Sequence, residues 1–244
     1  MKIIALSNPR SGTNYILECL AQKHSTLYLG EFLHENLQPE SVVYNESSKI
    51  ITNYSNIKKE TDLADSYINS QRFSSILLNT SSPWTAKVFT KHLKHSTFNS
   101  IFKLFTKPDF YKVLIYRSDI LDTALSYIIA RKYNKWQAYC KEELVYLNEV
   151  SIDCKIEEEF FMTFFHKTIN QFNYLKELSK LFKWDTIYDY SKLTGNPRID
   201  FNANVYAPCI KLLTKEEKLS KFKNFSYIEN KIRPLLENDY SINT

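Results

Sequence analysis

The first two dozen residues narrow the fold more than anything else in the chain. Lys2–Ser7 is a short apolar run that Asn8-Pro9 stops at once. A continuous apolar run of this length, closed by a turn signal, is the pattern of a strand buried on both faces. After the loop residues Arg10-Ser11-Gly12-Thr13-Asn14, the apolar side chains Ile16, Leu17, Leu20 and Ala21 return at helical spacing. Strand, loop and helix in this order open many α/β proteins that bind nucleotides.

The alternation continues downstream. Residues 25–29 read as a second strand leading into Gly30-Glu31, residues 76–78 and 86–90 as strand material, and 111–116 as the clearest later strand. A helix is expected over about 119–132, because Leu121, Ala124, Leu125, Ile128 and Ile129 share one face. Ser118 or Asp119 would be its N-cap. A long helix is expected over 157–182, opened by three acidic residues as the macrodipole prefers. Residues 184–190 read as a last strand. A charged helix is expected over 214–231, with Thr214 and Glu217 placed for a capping box. Residues 36–75 are polar and lack a period; loops and a helix are expected there. Strands alternating with helices imply a three-layer α/β fold with a mostly parallel central sheet flanked by helices. Ligands then bind beyond the carboxyl ends of the strands. The whole chain, 1–244, is read as one domain, with 36–75 and 197–244 as variable or capping segments.

Composition removes several classes. The 244 residues are 43% hydrophobic and 24% charged, which excludes a disordered chain. No apolar run approaches the ~20 residues of a membrane-spanning helix, and the N-terminal run is too short for a secretory signal. A cytoplasmic location without an integral membrane segment is therefore expected. Cys19, Cys140, Cys154 and Cys209 are widely spaced, so neither a zinc site nor a disulfide framework is expected. A net charge of +5, spread along the chain, suits a small polyanion better than nucleic acid. Only three glycines occur, Gly12, Gly30 and Gly195, and two of them lie in the segments that carry the chemistry.

Pro9-Arg10-Ser11-Gly12-Thr13-Asn14 has the features of an anion cradle. Backbone N–H groups at a helix N-terminus attract anions, and a glycine lets a phosphate approach the chain. Ser11 and Thr13 add hydroxyls. No lysine follows Gly12 and no glycine opens the loop, so the pattern differs from the ATP-binding P-loop. Arg10 supplies a cation from the other side of the glycine, able to stabilise charge on a departing phosphate. A second constellation sits where the 111–116 strand turns to helix: Arg117, with Ser126 nine residues on. An arginine and a hydroxyl held this way suit a second phosphate. Each motif alone also fits a plain surface turn or helix; together they describe a ligand with two anionic ends.

The paired motifs resemble those of sulfotransferases that use 3′-phosphoadenosine 5′-phosphosulfate (PAPS). Pro9–Thr13 is similar to the family's 5′-phosphosulfate loop, and Arg117 with Ser126 to its 3′-phosphate motif. The closer resemblance is to the bacterial trehalose sulfotransferase branch, through Gly30-Glu31 and the order Arg117, Asp119, Leu121, Ala124, Ser126, Ala130, Trp136. The likeness spans roughly residues 3–35 and 86–136, with an echo at 186–190. It implies a P-loop-like fold, PAPS as co-substrate with no metal, and a carbohydrate or glycolipid hydroxyl as acceptor. It also implies Glu31 as the catalytic base. His92, in Lys91-His92-Leu93, resembles the catalytic histidine segment of animal cytosolic sulfotransferases and is the competing base. Phe32 stands where the branch has a proline after the glutamate. Lys87 matches a strand lysine of the branch, and Lys211 a late basic residue near the 3′-phosphate. The alternatives are a nucleotide kinase or other phosphoryl transferase, and a catalytically inactive nucleotide-binding module on the same scaffold. The oligomeric state is not legible, and a homodimer is left open.

Overall fold

A computed structural model describes residues 1–30, 42–45, 50–53, 75, 77–93, 98–134, 149–193 and 214–242. Five strands form the central sheet: β1 (Lys2–Ser7), β2 (Leu27–Gly30), β5 (Trp84–Phe89), β6 (Phe110–Tyr116) and β8 (Thr186–Asp189). Their order is β2-β5-β1-β6-β8, and every neighbouring pair is parallel. β1 lies at the centre, and Ile3, Ile4, Ala5 and Leu6 are wholly buried. That is why its sequence is a continuous apolar run rather than an alternating one.

Two helical layers cover the sheet. On one face Ile3 and Ala5 of β1 and Val113 and Ile115 of β6 pack against Ile16, Leu17 and Leu20 of α1 (Thr13–Lys23). On the other, Ile4, Leu6 and Leu114 pack with Ile101, Leu104 and Phe105 of α2 (Phe98–Thr106) and with Phe172, Leu175 and Leu178 of α4 (Glu158–Ser179). Burying a side chain of this size contributes about 1.5–3 kcal/mol. The protein is thus a three-layer α/β fold.

A second core lies beside the sheet. Ala124, Leu125 and Ile128 of α3 (Ile120–Tyr133) meet Phe161 and Phe165 from the start of α4 and Ile228 and Ile232 of α6 (Phe225–Leu236). The 22 residues of α4 span both cores. Residues 214–242 are built into this structure: Phe222, Ile228 and Ile232 enter the second core, Tyr240 and Ile242 the first. Among the described residues, no helix is long and apolar enough to cross a membrane.

Three expectations are corrected. Within 36–75, read as loops and a helix, β3 (Val42–Asn45) and β4 (Ile50–Asn53) form an antiparallel pair. Of residues 76–78, read as strand, Leu77 and Leu78 are helical and residue 76 lies outside the described residues; Leu77 serves the core from a helix, which a three-residue apolar run cannot distinguish from a strand. The single helix expected over 214–231 is two. α5 (Lys215–Leu219) has the expected Thr214–Glu217 capping box, then the chain pairs as β9 (Phe222–Lys223) with β7 (Ile152–Asp153). Asn224, at φ 54°, turns it into α6. Asparagine tolerates that left-handed conformation, so it can interrupt a helical pattern without glycine or proline.

Candidate functional site

The connection after β1 leads to β2 on one side of the sheet, whereas the connection after β6 leads to β8 on the other. The carboxyl ends of β1 and β6 therefore flank a topological switch point, where open α/β sheets hold their ligands. A narrow cleft opens there, lined by Asn8, Pro9 and Ser11 from the first loop, by Arg117, Thr123 and Tyr127, and by Thr168 and Gln171 of α4.

The first loop is held from within. Ser11 Oγ donates to the Asn8 carbonyl at 2.6 Å, Thr13 Oγ1 to Ser7 Oγ at 2.9 Å, and Thr90 Oγ1 to Asn8 Oδ1 at 2.5 Å. The hydroxyls of Ser11 and Thr13, expected to face a phosphate, thus donate to the protein itself. Arg10 and Gly12 both take positive φ, 66° and 71°. Gly12 is the N-cap of α1, which has no side-chain cap and no acidic residue in its first turn. The positive end of the α1 dipole thus carries neither a capping side chain nor an acidic side chain in its first turn.

Arg117 leaves the end of β6 and is 7% exposed. Its guanidinium pairs with Asp122 and lies over the Tyr190 ring, 5.2 Å from the centroid. Burial pushes its pKa down, Tyr190 and Asp119 push it back up, and the Arg10 charge lowers it again. The two arginines are thus close enough to feel one another, although Arg10 itself does not line the cleft. The Arg117 loop is anchored to the end of β8. Asp189 Oδ1 accepts from the N–H groups of Ser118 and Ser191, both at 3.0 Å, and Ser191 Oγ accepts from Asp119 N–H at 2.9 Å. Asp119 caps α3 by accepting from Asp122 N–H.

Tyr190 joins the two motifs. A Cβ on Gly12 would lie 2.2–2.5 Å from three atoms of its ring. The same ring carries the Arg117 guanidinium. Tyr190 therefore touches both the first loop and the strand-end arginine.

The remaining expected residues fall as follows. Ser126 is buried on α3, one turn beyond Asp122, and is not among the cleft residues; the helix is buried all round at that point, so the exposed polar side expected there is not formed. Lys87 is 3% exposed, on a strand flanked by two others. Its ammonium donates to Asn14 Oδ1 in the first turn of α1, which also accepts from the Tyr28 hydroxyl at 3.2 Å. A buried cation thus stands beside the helix N-terminus. His92 belongs to a single 3-10 turn, Thr90–Leu93, after β5; its side chain, like Glu31 and Lys211, lies outside the described residues. Sequence reasoning missed Asp122, Lys218 and Tyr190 as parts of this site. The first lies between two expected site residues, and the last ends the segment 186–190 already singled out; nothing near Lys218 marks it. No protein-family model, no curated protein and no solved structure matches this chain.

Proposed function

We propose that this chain is a sulfotransferase that moves a sulfuryl group from PAPS to a hydroxyl acceptor, with a sugar or glycolipid as the acceptor class and the cytoplasm as its location. The observation that carries the reading is that Asn8, Pro9 and Ser11, in the loop leading into an α1 N-terminus without a side-chain cap, line one switch-point cleft with the buried strand-end Arg117. Two basic positions, Arg10 and Arg117, with the Tyr190 ring against both the first loop and Arg117, fit a nucleotide with phosphates at both ends. The lysine at the P-loop position is absent, which favours this reading over a nucleotide kinase.

In the proposed reaction the acceptor oxygen attacks sulfur as its proton passes to Glu31. The bond from sulfur to the bridging oxygen breaks, and that oxygen keeps the electron pair on the 5′-phosphate. Arg10 and the first amides of α1 stabilise this developing charge, as preorganised donors do. Arg117 grips the 3′-phosphate. Lys87, beside Asn14, is assigned to the sulfonate.

Titration with 3′-phosphoadenosine 5′-phosphate and with its analogue lacking the 3′-phosphate tests the assignment. Charge-assisted hydrogen bonds contribute about 1.5–3 kcal/mol, so Arg117→Ala is expected to weaken the first ligand roughly 10- to 150-fold. The second should change little. Equal losses for both ligands would defeat the reading. Incubation with labelled PAPS and a panel of sugars then identifies the acceptor.

A further inference from the structure

Asp122 is shared by two buried cations. One carboxylate oxygen pairs with Arg117 and the other with Lys218, and all three side chains are more than nine-tenths buried. One turn away Lys215 Nζ meets Asp119 at 2.9 Å. The two lysines of α5 therefore dock on two aspartates in the opening turn of α3, with the same spacing of three on both sides. A staple alone is a poor reason for such an arrangement, because buried ion pairs are often no more stabilising than apolar residues of similar volume. Its position beside Arg117 suggests another role. Around that guanidinium stand Arg10, Lys215 and Lys218 against Asp119 and Asp122, with Asp189 and its partner Lys192 adding one charge of each sign. Arg117 Nε is buried and makes no hydrogen bond.

We propose that Lys218 is a positioning residue for the anion site, holding one oxygen of Asp122 so that this carboxylate does not neutralise Arg117. The proposal rests on Arg117 gripping the 3′-phosphate. Without Lys218, the only buried cation left to Asp122 in this triad is Arg117, and an incoming phosphate must compete with a closed ion pair. With Lys218 in place, the triad carries one net positive charge, and the guanidinium keeps its attraction for a phosphate. Removing one unit charge a few ångströms away in a partly desolvated site changes anion affinity by roughly tenfold.

The test is calorimetric titration of 3′-phosphoadenosine 5′-phosphate into the full chain, with Arg117→Ala as the reference for lost binding. Lys218→Met is expected to weaken binding roughly tenfold. Adding Asp122→Asn to it should return affinity to within about threefold of the original, because the competing carboxylate is gone. A purely structural staple predicts no such rescue. If Arg117→Ala weakens binding and Lys218→Met does not, the Lys218 proposal falls and the functional reading stands. If Arg117→Ala changes nothing, the functional reading itself falls. Should Lys218→Met alone fail to fold, the double variant still decides. Affinity near that of the original chain supports the proposal, and affinity as weak as that of Arg117→Ala overturns it.

Discussion

Gly12→Ala tests the architecture of the site most directly. Two costs add at this position. At φ 71° an L-residue pays about 1–2 kcal/mol for the left-handed conformation. The new methyl would also lie 2.2–2.5 Å from Cγ, Cδ2 and Cε2 of Tyr190, well inside contact distance. Cγ is the root of the ring, so a rotation about χ2 cannot clear it and the whole side chain must move. Overpacking of this kind costs about 1–3 kcal/mol. The sum is about 2–5 kcal/mol, a large share of the stability of an ordinary domain. Urea unfolding followed by tryptophan fluorescence measures it. The double variant Gly12→Ala/Tyr190→Ala separates the parts, since removing the ring abolishes the clash and leaves the backbone cost of about 1–2 kcal/mol. Because the ring also carries Arg117, Gly12→Ala should weaken nucleotide binding even where the protein remains folded. A cost below about 1 kcal/mol, or a penalty unchanged by loss of the ring, would refute the close packing of Gly12 on Tyr190.

Three further outcomes are expected. Glu31→Gln should retain binding of 3′-phosphoadenosine 5′-phosphate while sulfuryl transfer falls by about 10²–10⁴-fold, the usual contribution of a general base; a transfer rate within about threefold of the original would move the role to His92. Lys87→Met should slow transfer by about 10²-fold through loss of a transition-state donor, leaving nucleotide affinity nearly intact; stopped assays with labelled PAPS measure both. Burial pushes the Cys19 and Cys154 thiols up to about 11, and burial followed by Cys19 pushes the Tyr15 hydroxyl up to about 12. The folded state therefore holds these protons more tightly than the unfolded chain, so their contribution is complete below about pH 9 and is lost as the pH rises through 9 to 12. Urea midpoints measured across that range should fall, and the two thiols should resist alkylation at pH 8 until the chain unfolds; a midpoint flat from pH 9 to 12 would contradict the buried thiols.

The sheet was legible because its strands lie in the interior. β1, β5 and β6 lie inside the sheet and are largely buried, so their sequences are dominated by apolar residues, with Lys87 of β5 the buried exception. The caps of α3 and α5 were legible because Asp119, Thr214 and Glu217 act on backbone groups three residues away. What failed is long-range. The break between α5 and α6 depends on Phe222–Lys223 finding Ile152–Asp153, some seventy residues earlier, and no local pattern announces that pairing. The helical state of Leu77 and Leu78 is likewise decided by packing rather than by their apolar run.

The site divides along the same line, and the division bears on what its residues do. Arg10, Gly12 and Arg117 could be named as candidates because a loop between strand and helix puts its polar groups next to one another in sequence. Tyr190 and Lys218 could not, since each meets Arg117 only through the fold, one by stacking from the end of β8 and the other through Asp122 from α5. These two distant contacts act on the guanidinium in different ways. The ring lies under the guanidinium, and the lysine shares its counter-ion. An arginine that is desolvated, oriented and only half neutralised is prepared for an anion in a way that a solvated surface arginine is not. Reading Arg117 as a structural arginine makes the Asp122–Lys218 pair a staple between α3 and α5. Reading it as a ligand-binding arginine gives Lys218, Asp122 and Tyr190 one physical task.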